Sequence, residues 1–271
     1  MAMNTIIRLS QFGFLAVNGR DAKTFMQGYT TCDVDKLSQS ENLGAICNIK
    51  GRMVTNFRIA PTYDGLLMRM HKSRVQDTME FLSKYIVFSK AELVDVSDLW
   101  YCHGVVEEKT VPERIDTADG EGMRLQVDDN RHELWSMTQL GDESGAEDWA
   151  AADCTNSLAW VESATADQYL PQMFNLHLLG GIDFNKGCYL GQEIVARAQY
   201  LGDLKRGLHH TFFEKSLAVG DELQVTGRSK GSVVAVAASE ALAVIANPGE
   251  NTIAAETPNG EFLTLTPMPL T

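Results

Sequence analysis

Apolar and polar positions alternate along the chain with two periods, one of two residues and one near 3.6. Residues 12–19, FGFLAVNG, predict a strand that ends in a turn. In RDAKTFMQGYTTCDV, Ala22, Phe25 and Met26 recur at helical spacing, and Gly28 supplies a stop. LGAICNIKG and RMVTNFRIA predict two strands around a Lys50-Gly51 turn, and GLLMRMH predicts a third. Ser73 stands where an N-cap is expected for RVQDTMEFLSKYIVF, in which Val75, Met79, Leu82 and Ile86 form an amphipathic stripe. AELVDVS, WYCHGVVEE, GMRLQVD and HELWSM predict further strands. Strand, helix, strands, helix, strands is an α+β order, not the regular alternation of a doubly wound sheet.

The stretch 138–148, TQLGDESGAED, is acidic and glycine-containing and predicts an exposed connection. WAAADCTNSLAWVES is expected to be mostly helical. Past residue 206 the texture changes to short alternating or apolar runs separated by Gly, Ser, Asn and Pro. That spacing predicts an α+β region over 1–206 and a small all-β barrel or sandwich over 207–271.

Composition adds constraints. Of 271 residues, 44% are apolar and 22% charged, which is ordinary for a globular chain. Acidic residues outnumber basic ones 36 to 23, so the formal charge of −13 disfavours direct binding to nucleic acid or anionic lipid. No apolar run is long enough for a membrane span, and the first residues lack a convincing leader pattern. Cys32, Cys47, Cys102, Cys154 and Cys188 are odd in number and form no C-x-x-C pair, so no disulfide framework or zinc ribbon is expected and a reducing cytoplasm is.

The densest chemistry lies in DFNKGCYLGQE, residues 183–193. Lys186 is two residues from Cys188, glycines flank the thiol, and QEIVARAQ predicts a helix whose N-terminus would favour an anion. Two readings stand side by side: a glycine-bounded turn with a packed cysteine, or a thiol placed for reaction, with His177 or His209 as distant candidates for a basic partner. Glu193 and Arg197 are spaced to pair on one helix face. Arg52, at its tight turn, is either a solvated cation or a group for an anionic tail, and so is the basic spot of Arg197, Lys205 and Arg206. His209 and His210 are adjacent on a predicted strand and so point to opposite faces, which argues against a shared metal. Cys32, Cys47, Cys102 and Cys154, like Met68, Met70 and Met79, read as packing residues.

Lys186 to Glu193, KGCYLGQE, matches the K-G-C-[aromatic]-x-G-Q-E signature of the YgfZ family, and the chain resembles that family over most of its length. Gly19, Asp21, Ala22, Phe25, Gln27 and Gly28 resemble its opening segment, and YLPQMFNLHLLGGIDFNKGC the run into its cysteine motif. The family comprises folate-binding proteins linked to iron–sulfur cluster maintenance and tRNA modification, related to the T-protein of the glycine cleavage system. The resemblance implies a ring of three subdomains, two α+β and one β-barrel, around a folate-sized opening. It implies a tetrahydrofolate or derivative as ligand, iron–sulfur proteins or tRNA-modifying enzymes as partners, and Cys188 with Lys186 as the working pair. The aromatic positions expected to stack on folate fall on Phe12, where the family has tryptophan, and on Trp149. With Arg52, Gln192, Glu193 and Arg197 these make the expected folate-contacting set, the last three also ordering the loop. In T-proteins a strand aspartate acts on the substrate; Asn56 stands there instead, which argues against aminomethyl transfer and leaves an accessory role or another one-carbon transfer.

Overall fold

The computed structural model describes residues 5–38, 42–106, 115–117, 120–202, 204–225, 230–246 and 251–268. In chain order the elements are β1 (Thr5–Arg8), β2 (Phe12–Asn18), α1 (Ala22–Gln27), β3 (Leu43–Cys47), β4 (Met53–Thr62), β5 (Gly65–His71), α2 (Val75–Ser83), β6 (Glu92–Asp95) and β7 (Tyr101–Val106). They continue with β8 (Ile115–Thr117), β9 (Gly120–Gln126), β10 (Arg131–Ser136), α3 (Ala146–Thr155), α4 (Gln192–Tyr200), β11 (Arg206–Phe212), β12 (Glu222–Val225), β13 (Lys230–Ala237), β14 (Glu240–Ala246), β15 (Ile253–Glu256) and β16 (Phe262–Pro267).

Two five-stranded sheets and a closed barrel result. The first sheet has the order β3-β4-β5-β2-β6, the second β1-β7-β10-β9-β8, and the barrel β11-β14-β13-β12-β15-β16. β1 and β2 are neighbours in sequence but lie in different sheets: β1 pairs with β7, and β2 with β5 and β6. The first two units are therefore interwoven.

Strand alternation then assigns the cores. On β2, Leu15 and Val17 pack with α1 and α2 residues such as Met26 and Leu82, while Phe14 and Ala16 join the opposite core with Trp135 and Trp149. On β5, Leu66, Met68 and Met70 face the helices, which turns Arg69 toward the second sheet. There the fully buried Arg69 meets Glu133 of β10, through Nε to Oε2 at 3.0 Å and through Nη2 to Oε1. Burial raises the Glu133 carboxyl, but the guanidiniums of Arg69 and Arg58 outweigh it and hold the group below the usual carboxylate range. The Trp135 indole N–H donates to the same carboxylate at 2.8 Å. A buried charge on the exposed-looking alternation of a strand thus becomes the bond between two sheets.

Three local expectations change. Ser73 caps no α-helix: residues 72–74 form a 3-10 turn, and the Ser73 hydroxyl instead meets His71 Nδ1 at 2.8 Å and accepts from the Ser163 amide at 3.2 Å. α2 ends at Ser83, so Ile86 lies in a separate 3-10 turn. The predicted helix over 149–163 stops at Thr155, and residues 158–162 run extended along β4. Asn56 explains that run, because its amide mimics a backbone rung: Nδ2 donates to Ala159 O at 2.8 Å, and Oδ1 accepts from Val161 N at 2.7 Å.

Candidate functional site

The cysteine motif lies on the surface where α4 meets the β3–β4 turn. Gly191, φ +83°, is the N-cap of α4, and a Cβ there would strike the Asn48 carbonyl oxygen and lie 3.2 Å from Gly51 Cα. The Leu190 amide donates to Gly28 O at 3.0 Å, which pins the loop to the end of α1. Between these two anchors Cys188 is exposed, whereas Cys32, Cys47, Cys102 and Cys154 are buried. Burial pushes the thiol of Cys32 up to about 11 and that of Cys154 to about 12, so neither ionises near neutrality.

Lys186 turns away from the surface. Its ammonium is buried and donates to the carbonyls of Gln27 (2.9 Å), Thr30 (2.6 Å) and Cys32 (2.7 Å), closing the turn after α1. Burial lowers its pKa to about 8, against the raising effect of Cys32 and nearby aspartates. The cation expected beside the thiol is thus engaged in holding the motif to the first sheet. Among the described residues no ion pair joins Glu193 to Arg197. Arg52 is exposed at its turn, its Nη1 at 3.4 Å from Asp167 O.

A cavity of about 560 Å³ opens between the end of β5, α3, the 158–162 run and the barrel. Its wall includes His71 from β5, Cys154 from α3, Trp160 and Glu162 from the extended run, and Leu217 and Ala237 from the barrel side. Trp160 is held from behind. The Arg69 guanidinium lies 3.9 Å from its ring centroid and 3.9 Å from that of Phe12, and Phe12 meets Trp160 edge-on at 5.4 Å. Such a desolvated cation–π contact is worth about 2 kcal/mol. The Trp160 indole N–H donates to Asp153 Oδ2 at 3.2 Å, and Asp153 Oδ1 takes Arg131 at 2.8 Å.

The two expected aromatic positions sit behind this wall. Phe12 spends a face on Arg69. Trp149 is 2% exposed, with Gly104 flat against one face and the Arg131 guanidinium 4.9 Å from its ring centroid. Neither they nor Arg52, Gln192, Glu193, Arg197, Lys186 or Cys188 line the cavity. A second cavity of about 500 Å³, bounded by Asp33, Lys36, Asp183 and Phe184, also lacks them, and Lys36 there bridges Asp33 (3.0 Å) and Asp183 (2.9 Å). Trp160, His71 and Glu162 are the residues that sequence reasoning missed. The available signal was LAWVES, an apolar run broken by tryptophan and glutamate, but the helical reading scattered those side chains over several faces. No group of three or more His, Cys, Asp or Glu among the described residues is placed to hold a metal ion.

No family model matches the sequence. The tRNA-modifying protein YgfZ of Photobacterium profundum is 32% identical over 228 residues, covering 75% of this chain and 68% of that protein. The chain belongs to the YgfZ family. The tRNA-modifying protein YgfZ of Hamiltonella defensa subsp. Acyrthosiphon pisum is 31% identical over 232 residues, covering 76% of this chain and 69% of its own. The YgfZ fold extends beyond that family. The crystal structure of glycine cleavage system aminomethyltransferase T from Bartonella henselae superposes with a TM-score of 0.64 over 99% of this chain and 86% of that one, at 12% identity. At that identity the likeness shows the architecture alone: the α+β ring with its C-terminal barrel. Asn56 in this YgfZ chain is buried, with both ends of its amide engaged by the 158–162 run.

Proposed function

We propose that this chain is a folate-binding accessory protein that supports iron–sulfur cluster assembly or repair and, through client enzymes, tRNA modification. The observation that carries the folate part is the cavity between the first sheet, α3, the 158–162 run and the barrel, with the Trp160 ring in its wall and the Arg69 guanidinium behind that ring. Its volume, about 560 Å³, falls within the range of roughly 300–1,000 Å³ typical of small-molecule sites. The wall combines an aromatic ring, a neutral histidine and a carboxylate, which suits tetrahydrofolate or a derivative: His71 and Glu162 would meet polar ring atoms and Trp160 the ring plane. When bound, a reduced folate would supply one-carbon or redox chemistry; the chain's own residues bind and orient it.

The tRNA part rests on the relatives, whose names call them tRNA-modifying proteins. The charge of −13 favours an indirect route through protein partners over contact with tRNA. Cys188 is the working thiol in this reading. Because it is exposed and does not line the cavity, it meets a partner at the surface and does not receive a group from the bound ring. Five unpaired cysteines suit a reducing compartment such as the cytoplasm, and no helix among the described residues is long and apolar enough to cross a membrane. T-protein-like aminomethyl transfer is left out of the reading, since Asn56 is a neutral amide committed to backbone bonds.

Two measurements test it. Tetrahydrofolate titrated into the purified chain quenches tryptophan fluorescence, and the quenching is lost in Trp160→Phe; no binding at millimolar ligand overturns the folate part. Complementation of a strain lacking the protein, read as activity of an iron–sulfur tRNA methylthiolase, fails with Cys188→Ala. Full rescue by that variant overturns the thiol's role.

A further inference from the structure

Two sheet edges are closed by their own chain. At β3 the Thr31 amide donates to Ala45 O at 2.9 Å, and the Ala45 amide to Thr31 Oγ1 at 2.8 Å. At β1 the Arg8 amide donates to Asp142 O at 2.6 Å, and Ile7 bridges Asp142 in parallel. β6 is different. It ends the order β3-β4-β5-β2-β6, and among the described residues β2 is its one pairing strand. An unpaired edge is a template for one more strand.

The surroundings of β6 are apolar and uncovered. Leu93 packs toward the core between the first sheet and its helices, but Val94 is exposed. The 3-10 turn Ile86–Phe88, just upstream, leaves Phe88 97% exposed, and Leu99, just downstream, is 54% exposed. Free backbone groups and apolar side chains therefore share one ledge.

Charge decides what can occupy it. Glu92 and Asp95 stand at the two ends of β6, about 10 Å apart along the strand, and Asp98 is exposed just beyond. A second copy pairing through the same edge in register, antiparallel or parallel, would set these carboxylates opposite one another, and like charges directly opposite are destabilising. Beside the start of the strand a hollow of about 340 Å³ is bounded by Asn18, Asp64, Lys90 and Glu92. It sets two carboxylates against one ammonium, and among the described residues no hydrogen bond or ion pair engages the side chain of Asp64 or Glu92.

We propose that the outer edge of β6 is a docking site for an extended protein segment in which apolar β-forming residues are flanked by lysine or arginine. The segment adds a sixth strand to the first sheet. Its backbone pairs with β6, its apolar side chains cover Val94 and Phe88, one cation enters the hollow at Asp64 and Glu92, and another faces Asp95. The edge shares no residue with the large cavity or the cysteine loop, so the inference goes beyond the folate and thiol readings and depends on neither.

The test uses the full chain and three capped pentapeptides: Lys-Val-Thr-Val-Lys, Glu-Val-Thr-Val-Glu, and the lysine peptide N-methylated at every amide. Binding is read by titration and by hydrogen exchange of the 92–95 amides. The lysine peptide slows that exchange and binds about tenfold or more tightly than the glutamate peptide. The preference shrinks at about 1 M salt, and methylation abolishes binding. In the double variant Asp64→Lys/Glu92→Lys the preference is lost; both side chains are exposed and have no hydrogen bond to lose, so the fold is retained. Equal binding of the lysine and glutamate peptides, binding that survives methylation, or an unchanged preference in the double variant overturns the proposal. Absence of binding at millimolar peptide also overturns it. So does a chain that sediments as a dimer with its 92–95 amides already protected, since a second copy would then be the occupant.

Discussion

Replacing Asn56 by Asp, the residue type that the resemblance to T-proteins leads one to expect there, is predicted to destabilise the fold in a pH-dependent way. Asn56 is 0% exposed, accepts from Val161 N at 2.7 Å and donates to Ala159 O at 2.8 Å. An ionised aspartate keeps the first bond but sets an anion against the Ala159 carbonyl, and among the described residues no ion pair or charged hydrogen-bond partner reaches this side chain. A protonated aspartate keeps both bonds, so the folded state holds the proton and the folded pKa rises above the unfolded value of about 3.9. For an acid shifted this way, the unfolded state releases the proton as pH rises and the folded state does not. The penalty is therefore small near pH 4 and grows with pH up to the folded pKa. At about 1.36 kcal/mol per unit, the cost reaches about 1.5 kcal/mol at pH 5 and about 4 kcal/mol at pH 7 if the folded pKa is at least 7. Urea unfolding of both proteins at pH 5 and pH 7 measures it. A variant as stable as the parent at pH 7, or one destabilised equally at both values, would show that the amide does not bridge Ala159 and Val161 as described.

Thiol labelling of the native chain with a small disulfide reagent modifies one cysteine quickly, and Cys188→Ala abolishes it, while the denatured chain reacts at all five, since only Cys188 is exposed; rapid native labelling of a second thiol refutes the burial of the others. Lys186→Met strips the donor from two buried carbonyls, Thr30 and Cys32, and from the half-buried carbonyl of Gln27, and each buried acceptor left unpaired costs about 1–3 kcal/mol. Because the folded pKa of Lys186 is about 8, below the unfolded value, the parent gains stability relative to that variant as pH rises from about 8 toward 10.4, which unfolding curves over that range detect. Gly104→Ala places a Cβ 2.5 Å from the Trp149 ring and is expected to cost about 1–3 kcal/mol, read as a lowered Tm together with a shifted tryptophan emission.

The strands were legible because a short apolar run bounded by turn residues is a local signal: residues 12–18, 53–62 and 65–71 are such runs, buried along most of their length. Helix ends were less so. Ser73 has the side chain of a cap, but its hydroxyl is claimed by His71 and by the amide of Ser163, a partner ninety positions away that no local window contains. The extended run 158–162 was misread for the same reason: Asn56 supplies its hydrogen bonds, and without that distant amide the local composition favours a helix.

The octapeptide around Cys188 was legible as a glycine-bounded loop running into a helix, since its glycines, thiol and helix start lie within eight residues of one another. The sequence could not say where its lysine points. Spacing placed Lys186 beside the thiol, whereas three carbonyls at the end of α1 draw the ammonium inward. The cavity lay wholly outside the sequence's reach: His71, Trp160 and the barrel residues converge only once β1 has crossed into the second sheet and the barrel has closed against α3. Local patterns decide which segments become strands, helices and turns, because those choices depend on near neighbours. Which side chains face a shared space is decided by packing between distant segments, where a buried guanidinium must find its carboxylate and a tryptophan its backing. Residue order alone therefore establishes the family, the architecture and the glycine-bounded loop that carries Cys188. Packing in three dimensions decides that the thiol faces solvent and that Trp160, not Phe12 or Trp149, meets the cavity.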